Sequence, residues 1–365
     1  MSPSALRHEI GQLLVAGFDG GQIPVELKAL CREFSLGGVI LFARNVVDPE
    51  QVAELSHAAA RLVADPPVWV SVDQEGGRVA RLKAPFTEWP PMATLGRSGD
   101  PALAGRFARA LAAELRAVGV TLDYAPVLDV HTNPKNPVIG DRALADSAAE
   151  VARLGSAIVR GLQAEGVAAC GKHFPGHGDT SSDSHVELPL VEHPPERLRE
   201  VEFVPFQAAI EAGVAAIMTA HVLVPSLDDR RPATLSSPIV TGILRKELRY
   251  EGVILSDDLE MKAIANTQAV PAAAVQAIEA GCDGVLICGA DHDAQAAALE
   301  AIVHAVEDGG LRLARVEDAL MRLRRAKERF LAAPAASRPS SKRALREMLG
   351  RDEHRAIADQ MARFA

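Results

Sequence analysis

The sequence predicts a single (β/α)8 barrel of the TIM type with a C-terminal helical extension. Three observations support this fold class. About eight short apolar runs alternate with amphipathic helical patterns, most of these runs are apolar throughout, and polar residues gather just past their C-terminal ends. Strands of a parallel sheet are buried on both faces and therefore appear as continuous apolar runs. Barrel active sites lie at the carboxyl ends of such strands.

The first half of the chain supplies four of the apolar runs, over residues 13–18, 38–42, 68–72 and 120–124. Apolar residues recur at helical spacing from Pro24 to Phe34. A longer helical pattern begins at Asp48-Pro49, a pairing of N-cap residue and proline that is typical of helix starts. The third run ends at Asp73 and the fourth leads to Asp129, so a carboxylate follows each of them.

The second half of the chain supplies the other four runs, over residues 168–170, 215–219, 252–255 and 284–288. Lys172-His173 follows the first of these, His221 the second, Ser256-Asp257-Asp258 the third and Gly289 the fourth. The alternative to a barrel is an open doubly wound sheet, which would need a glycine-rich phosphate turn after the first strand. The segment 17–21, Gly-Phe-Asp-Gly-Gly, matches that fingerprint poorly, so the barrel is favoured.

The chain changes character after Leu331. Residues 332–342 are rich in Ala, Pro and Ser and are typical of a linker. The last segment is charged but carries spaced apolar residues (Leu345, Met348, Leu349, Ile357 and Met361). We therefore expect a catalytic barrel over residues 1–335, and over 336–365 a linker and a C-terminal helix that packs on the barrel.

Composition excludes several classes of partner. The 365-residue chain has a formal net charge of −9, and no stripe of basic residues is present. Proteins that bind nucleic acid or anionic membranes show such stripes, so we expect neither partner. Hydrophobic residues make up 48% of the chain, enough for a large core.

The cysteines and the N-terminus indicate the compartment. The four cysteines (Cys31, Cys170, Cys282 and Cys288) show no paired spacing, which fits buried free thiols in a reducing compartment. Residues 1–19 are too interrupted by charge for a signal peptide, and no apolar run is long enough to span a membrane. We expect a cytoplasmic monomer.

The loop from Lys172 to His185 is the densest cluster of titratable residues, and its glycines and proline interrupt regular structure. Within it, Asp183 precedes His185 by two residues. In an extended segment both side chains point to the same side, so the carboxylate can orient the imidazole for proton transfer. A solvated polar loop would explain this pair if it stood alone, but other polar clusters follow neighbouring runs.

Three such clusters accompany this loop. Asp257 and Asp258 end the seventh run, where one can act as a nucleophile and the other can cap the next helix. Asp73 begins a segment that includes Gly76-Gly77 and Arg81, and its acceptor oxygens suit sugar hydroxyls. A charged surface turn is the alternative there.

The third cluster contains Arg142, which can present its donor fork to a substrate or pair internally with Asp141 or another carboxylate. We interpret His131, His177 and His221, near strand ends, as packing or supporting histidines. His8, His57, His304 and His354 lie in helical patterns, and we expect them at the surface.

These segments resemble family 3 glycoside hydrolases, and within them the NagZ-type bacterial β-N-acetylglucosaminidases of peptidoglycan recycling. The resemblance rests on Asp73 to Arg78, on Lys172 to Thr180 with the following Asp183-Ser184-His185, and on Ser256 to Leu259. With the barrel around them it covers about residues 5–335. Two departures concern the leaving-group side: Ala143-Leu144 where the family usually has a small residue then Phe, and Cys288-Gly289-Ala290 where it commonly has Cys-Asn.

The resemblance implies a retaining exo-β-N-acetylglucosaminidase that needs no metal or cofactor. Asp257 would form a covalent glycosyl-enzyme, and His185, oriented by Asp183, would be the acid/base. A further set would bind the N-acetylglucosamine unit: Asp73, Arg81, Arg142, Lys172 and His173. The expected substrate is a muropeptide fragment, N-acetylglucosamine linked to 1,6-anhydro-N-acetylmuramic acid with or without peptide.

Three other functions are compatible with parts of the pattern. A β-N-acetylglucosaminide phosphorylase would use the same residues with phosphate in place of water. A metal-dependent barrel hydrolase could use the loop histidines and the aspartates, but Lys172 would oppose a bound cation. A sugar-binding module without catalysis would have no need of Asp183, His185 and Asp257 together.

Overall fold

The computed structural model describes residues 3–331 and 341–365. Its centre is a closed barrel of eight parallel strands: β1 (Leu14–Ala16), β2 (Gly38–Leu41), β3 (Trp69–Val72), β6 (Leu122–Asp123), β7 (Ala168–Phe174), β8 (Ala216–Thr219), β9 (Val253–Asp258) and β10 (Gly284–Ile287). Their spatial order is β1-β10-β9-β8-β7-β6-β3-β2. The predicted (β/α)8 barrel is confirmed, and each strand falls within or overlaps one of the eight apolar runs.

The barrel closes between its first and last strands. Val15 of β1 lies opposite Leu286 of β10 on one side and Gly38 of β2 on the other. The strands are buried almost throughout, because side chains fill the barrel on one face and the helices cover the other. In β7 this burial includes Lys172 and His173 at the carboxyl end, so these two polar residues need partners within the barrel mouth.

The helices form the outer layer. They are α1 (Pro3–Gly11), α2 (Val25–Phe34), α3 (Pro49–Ala60), α4 (Met92–Ser98), α5 (Pro101–Ala117), α6 (Ala148–Ala164), α7 (Pro195–Glu200), α8 (Phe203–Glu211), α9 (Lys262–Ala265), α10 (Val270–Ala280), α11 (His292–Glu307), α12 (Leu313–Leu331), α13 (Lys342–Met348) and α14 (Asp352–Ala362), with a π-helical segment over Pro238–Glu247. The start of α3 is as expected: Asp48 caps it by accepting a hydrogen bond from the Gln51 N–H at 2.8 Å, and Pro49 occupies its first turn. None of the helices among the described residues is both long and apolar enough to cross a lipid bilayer.

A short antiparallel hairpin follows the third barrel strand. It pairs β4 (Gln74–Gly76) with β5 (Val79–Ala80). Gly76 and Gly77 at its turn have φ angles of 109° and 57°, a region that favours glycine. A Cβ on Gly76 would also lie 2.8 Å from the Met92 side chain. The turn therefore needs these glycines, and the hairpin brings Asp73 and Arg81 together at its base.

The C-terminal segment forms two helices, α13 and α14, where we expected one. Residues 332–340 of the expected linker, and with them the expected boundary at 335, lie outside the described residues. Glu114 of α5 joins the segment to the barrel: it accepts hydrogen bonds from the Gly350 N–H at 2.9 Å and from His354 Nδ1 at 2.8 Å. The surface position expected for His354 is therefore wrong, since its side chain is 7% exposed. The other three helical histidines are exposed as expected.

Candidate active site

An open cleft of about 780 Å³ lies at the carboxyl ends of the barrel strands. Seven of the eight site residues expected from the sequence line it: Asp73, Arg81, Arg142, Lys172, His173, His185 and Asp257. The eighth, Asp183, is hydrogen-bonded to His185. The structure thus brings together, in one concave site, side chains that are spread along the chain from Asp73 to Asp257.

Asp257 and Asp258 end β9 and have different environments. Burial opposes the charge on Asp257, but His221 and His173 nearby and the N–H of Asp258 favour it, so the pKa of Asp257 lies below its ordinary value. Asp258 accepts hydrogen bonds from the Glu260 and Cys288 N–H groups at 3.1 Å. Burial nevertheless raises the pKa of Asp258 to about 6. At neutral pH Asp257 is therefore the firmly ionised carboxylate of the pair, as a nucleophile requires.

Asp183 and His185 form the hydrogen-bonded pair that the sequence suggested. His185 Nδ1 and the His185 N–H both lie 2.8 Å from Asp183 Oδ1. These contacts outweigh partial burial and lower the pKa of Asp183. The expected extended backbone is wrong here: the N–H groups of Val186 and Glu187 both donate to the Asp183 carbonyl, which makes a turn.

The pair leaves one imidazole nitrogen available. Asp183 binds Nδ1, and Nε2 of His185 has no hydrogen-bond partner in the part of the chain that the structure describes. The His185 side chain is 65% exposed, and it lines the cleft. A histidine held at Nδ1 with its Nε2 facing an open cleft can transfer a proton to or from a bound molecule.

A buried network of charges forms part of the cleft lining, the charged wall, which contains Asp73, Glu75, Arg81, Arg142 and Lys172. Lys172 Nζ lies 2.7 Å from Asp73 Oδ1 and 2.7 Å from Glu75 Oε1. Arg142 binds both oxygens of Glu75, at 2.8 and 2.9 Å. Burial alone would raise the pKa of Glu75, but the two cations reverse this and hold it well below its ordinary range. Arg81 completes the wall through a longer contact of 3.3 Å to Asp73 Oδ2.

Glu75 is the residue of this network that sequence reasoning missed. Its side chain is 1% exposed, and it fixes two of the expected binding residues, Lys172 and Arg142. The pairing considered between Arg142 and Asp141 is wrong, because Asp141 pairs with Arg78 instead. The available signal was position: Glu75 lies two residues after Asp73, past the same strand end.

A second group that sequence reasoning left without a role is Asp129. Its carboxylate lies 2.7 Å from His173 Nδ1 and accepts the His177 N–H at 2.7 Å. Burial opposes its charge, but His173 and the backbone N–H favour it, and the pKa of Asp129 is lowered. It therefore orients His173 toward the cleft. Asp129 follows the fourth barrel strand, and that position was the one sequence signal.

Asp123 is another buried carboxylate near the charged wall, but its pKa is raised and not lowered. Its Oδ1 accepts the Gln74 N–H at 2.9 Å, while Oδ2 is buried and has no hydrogen-bond partner. Burial raises the pKa of Asp123 well above its ordinary value. Burial thus disfavours the ionised form of Asp123, and its Oδ1 supports the hairpin through the Gln74 N–H.

His177 and His221 are supporting residues, as expected. Both are buried, and burial lowers the pKa of each, to about 4 for His177. His221 contacts the Asp258 carbonyl at 2.9 Å and Thr234 Oγ1 at 2.8 Å, so it braces the end of β9. Within residues 3–331 and 341–365, no three His, Cys, Asp or Glu side chains are arranged to hold a metal ion.

Comparison with known proteins agrees with this arrangement. Residues 5–326 match the family described as glycosyl hydrolase family 3 N terminal domain. A β-hexosaminidase of Nitrosomonas eutropha is 45% identical over 259 residues, which cover 69% of this chain and 74% of that protein.

Two solved structures are similar throughout most of the chain. A family 3 β-N-acetylglucosaminidase from Paenibacillus sp. superposes with a TM-score of 0.94 and 44% identity, over 98% of this chain and 68% of that one. NagZ from Neisseria gonorrhoeae, in complex with N-trifluoroacetyl-D-glucosamine, superposes with a TM-score of 0.77 and 32% identity, over 97% of this chain and 98% of that one.

Proposed function

The chain belongs to glycosyl hydrolase family 3, and from this premise we propose that it is a retaining exo-β-N-acetylglucosaminidase acting on peptidoglycan fragments. Its relatives identify the enzyme class as a β-N-acetylhexosaminidase. The retaining course, the covalent intermediate and the muropeptide substrate are the proposal. The observation that carries it is that ionised Asp257 and the Asp183-held His185 line one cleft.

In the proposed first step, Asp257 attacks the anomeric carbon of the terminal sugar. The glycosidic C–O bond breaks, and His185 Nε2 gives its proton to the departing oxygen. Asp183 stabilises the imidazolium before transfer and holds the ring by Nδ1. In the second step the neutral imidazole takes a proton from water, which displaces Asp257 from the sugar. The two substitutions together retain the β configuration.

The charged wall binds the N-acetylglucosamine unit in this proposal. Asp73 accepts hydrogen bonds from sugar hydroxyls, and Arg142, Arg81, Lys172 and His173 donate to sugar oxygens. Glu75 holds Arg142 in a fixed position, and Asp73 does the same for Lys172. Such preorganised groups favour one orientation of the substrate over others.

The proposed setting is the bacterial cytoplasm, where muropeptide fragments with a 1,6-anhydro-N-acetylmuramic acid end would be degraded and recycled during cell-wall turnover. The four cysteines are free and buried, which suits a reducing compartment. We also propose that residues 1–335 form the catalytic unit, that the C-terminal helices pack on it, and that the protein is a monomer.

Product stereochemistry tests the proposed reaction. An N-acetylglucosaminyl-1,6-anhydro-muramic acid substrate is incubated with enzyme, and the anomeric proton of released sugar is followed by NMR. The proposal predicts that the β-anomer appears first and that the α-anomer grows only by mutarotation. First appearance of the α-anomer would contradict it. Parallel reactions with added phosphate should give the same free sugar, whereas a sugar 1-phosphate would indicate the phosphorylase.

A further inference from the structure

The loop that carries the proposed acid/base contains one residue whose side chain is buried against the rest of the protein. Within residues 181–188, all of which the structure describes, Ser184 is the buried residue, with 2% exposure. Its neighbours on either side are open: His185 is 65% exposed and Asp183 36%. Among the hydrogen bonds between described residues, those that join this segment to the rest of the chain are made by Ser184.

Two contacts hold Ser184 in place. Its carbonyl accepts the N–H of Ala263, in α9, the short helix that follows β9, at 3.2 Å. Its hydroxyl lies 3.1 Å from Nε2 of His177. The first contact links the loop to the segment just past Asp257, and the second links it to the buried base of the cleft.

Both ring nitrogens of His177 have a hydroxyl partner. Thr180 Oγ1 lies 2.7 Å from Nδ1, and the Ser184 hydroxyl lies 3.1 Å from Nε2. Burial lowers the pKa of His177 to about 4, and a neutral imidazole has one donor and one acceptor nitrogen. A hydroxyl can pair with either, so the Thr180–His177–Ser184 chain fixes the ring and ties the Ser184 side chain to it.

We propose that Ser184 is a positioning residue, whose hydroxyl bond to His177 holds the Asp183–His185 pair over the cleft. Because Ser184 lies between these two residues, releasing its side chain frees both of them together. The residues proposed to bind the sugar all lie outside residues 181–188, so the loss should fall on proton transfer. This inference rests on the proposed function, since it assumes that His185 is the acid/base.

The experiment measures kcat/KM for β-N-acetylglucosaminides whose leaving groups differ in their need for protonation, a methyl glycoside and a 2,4-dinitrophenyl glycoside. Ser184→Ala should lower kcat/KM roughly tenfold for the methyl glycoside, the effect of a lost hydrogen bond that leaves a buried polar group of His177 unpaired. For the dinitrophenyl glycoside the change should stay below about twofold, because that leaving group needs no acid. Ser181→Ala, an exposed serine of the same loop, is the matched control and should leave both values unchanged.

A double-mutant cycle separates positioning from general stability. Added to His185→Ala, the Ser184→Ala change should cost nothing further with either substrate, because its effect passes through the missing imidazole. An equal loss for both glycosides, or additive losses in the double variant, would overturn the proposal. Ser184→Cys, of similar volume but a weak donor, is the second variant. Unfolding of both Ser184 variants would also contradict a positioning role.

The same data test the proposed function separately. If His185→Ala itself shows no dependence on the leaving group, the assignment of the acid/base fails. If His185→Ala shows that dependence and Ser184→Ala does not, only the inference about Ser184 fails.

Discussion

Replacing Glu75 by Gln tests whether the charged wall depends on one buried carboxylate. The change keeps the shape of the side chain but removes the charge that faces Lys172 at 2.7 Å and Arg142 at 2.8 Å. The Gln amide group would also point two N–H donors toward groups that are themselves donors. Asp73 remains as a partner for Lys172, but Arg142 loses both of its carboxylate bonds.

The expected cost follows from burial, since Glu75 is 1% exposed and Arg142 11%. Removing one partner of a buried ion pair costs about 3–5 kcal/mol of stability. We expect Glu75→Gln to lower the free energy of unfolding in urea by that amount. Because Arg142 and Lys172 lose their fixed positions, kcat/KM should also fall, roughly 10- to 100-fold, as lost hydrogen bonds to charged groups do.

The pH dependence supplies a second check. The pKa of Glu75 is lower in the folded protein than in the unfolded chain. Its stabilisation is therefore complete above the unfolded value of about 4.3 and is lost as the pH falls below it. The difference in unfolding free energy between wild type and variant should be constant from pH 8 to about pH 5 and shrink below that.

Glu88→Gln, at an exposed position after the hairpin, is the matched control and should change neither stability nor kcat/KM. A loss of less than about 1 kcal/mol for Glu75→Gln, the value for exposed pairs, with unchanged kcat/KM would refute the reasoning.

Three further substitutions have distinct expected outcomes. His185→Ala should lower kcat/KM for alkyl glycosides roughly 10²- to 10⁴-fold and much less for dinitrophenyl glycosides; equal losses in steady-state assays would exclude it as the acid. Asp123→Asn should retain activity at pH 7, and its unfolding free energy relative to wild type should rise as the pH increases above about 4, since the pKa of Asp123 is higher in the folded protein than in the unfolded chain. A pH-independent difference in urea titrations would show that folding does not raise the pKa of Asp123. His354→Ala should lower stability by about 1–3 kcal/mol, because it leaves Glu114 short of a buried partner, and a thermal midpoint equal to that of wild type would contradict the buried contact.

The sequence predicted the barrel well because burial on both faces leaves a local signal. The strands around Val15, Ile40 and Leu286 contain no polar side chain. The β4–β5 hairpin left no such signal, since its strands have three and two residues. Its fold depends on the close packing of Gly76 against Trp89, Pro90 and Met92, which lie later in the chain.

The candidate site was predictable in its residues but not in its internal partners. Asp73, Lys172 and Asp257 lie at strand ends, a position that the sequence shows directly. That Glu75 rather than Asp141 would bind Arg142 depends on how two loops pack. The burial of His354 likewise depends on α14 packing against α5, and no pattern within α14 indicates it.

The most direct test of the central claim is to identify the side chain that carries the sugar during turnover. A 5-fluoro N-acetylglucosaminyl fluoride slows hydrolysis of a glycosyl-enzyme, and the position-2 acetamido group stays in place. Digestion and mass spectrometry should then find one added sugar, on Asp257, and Asp257→Ala should show neither adduct nor turnover. An adduct on another residue, or none from an enzyme that releases inverted product, would contradict the account.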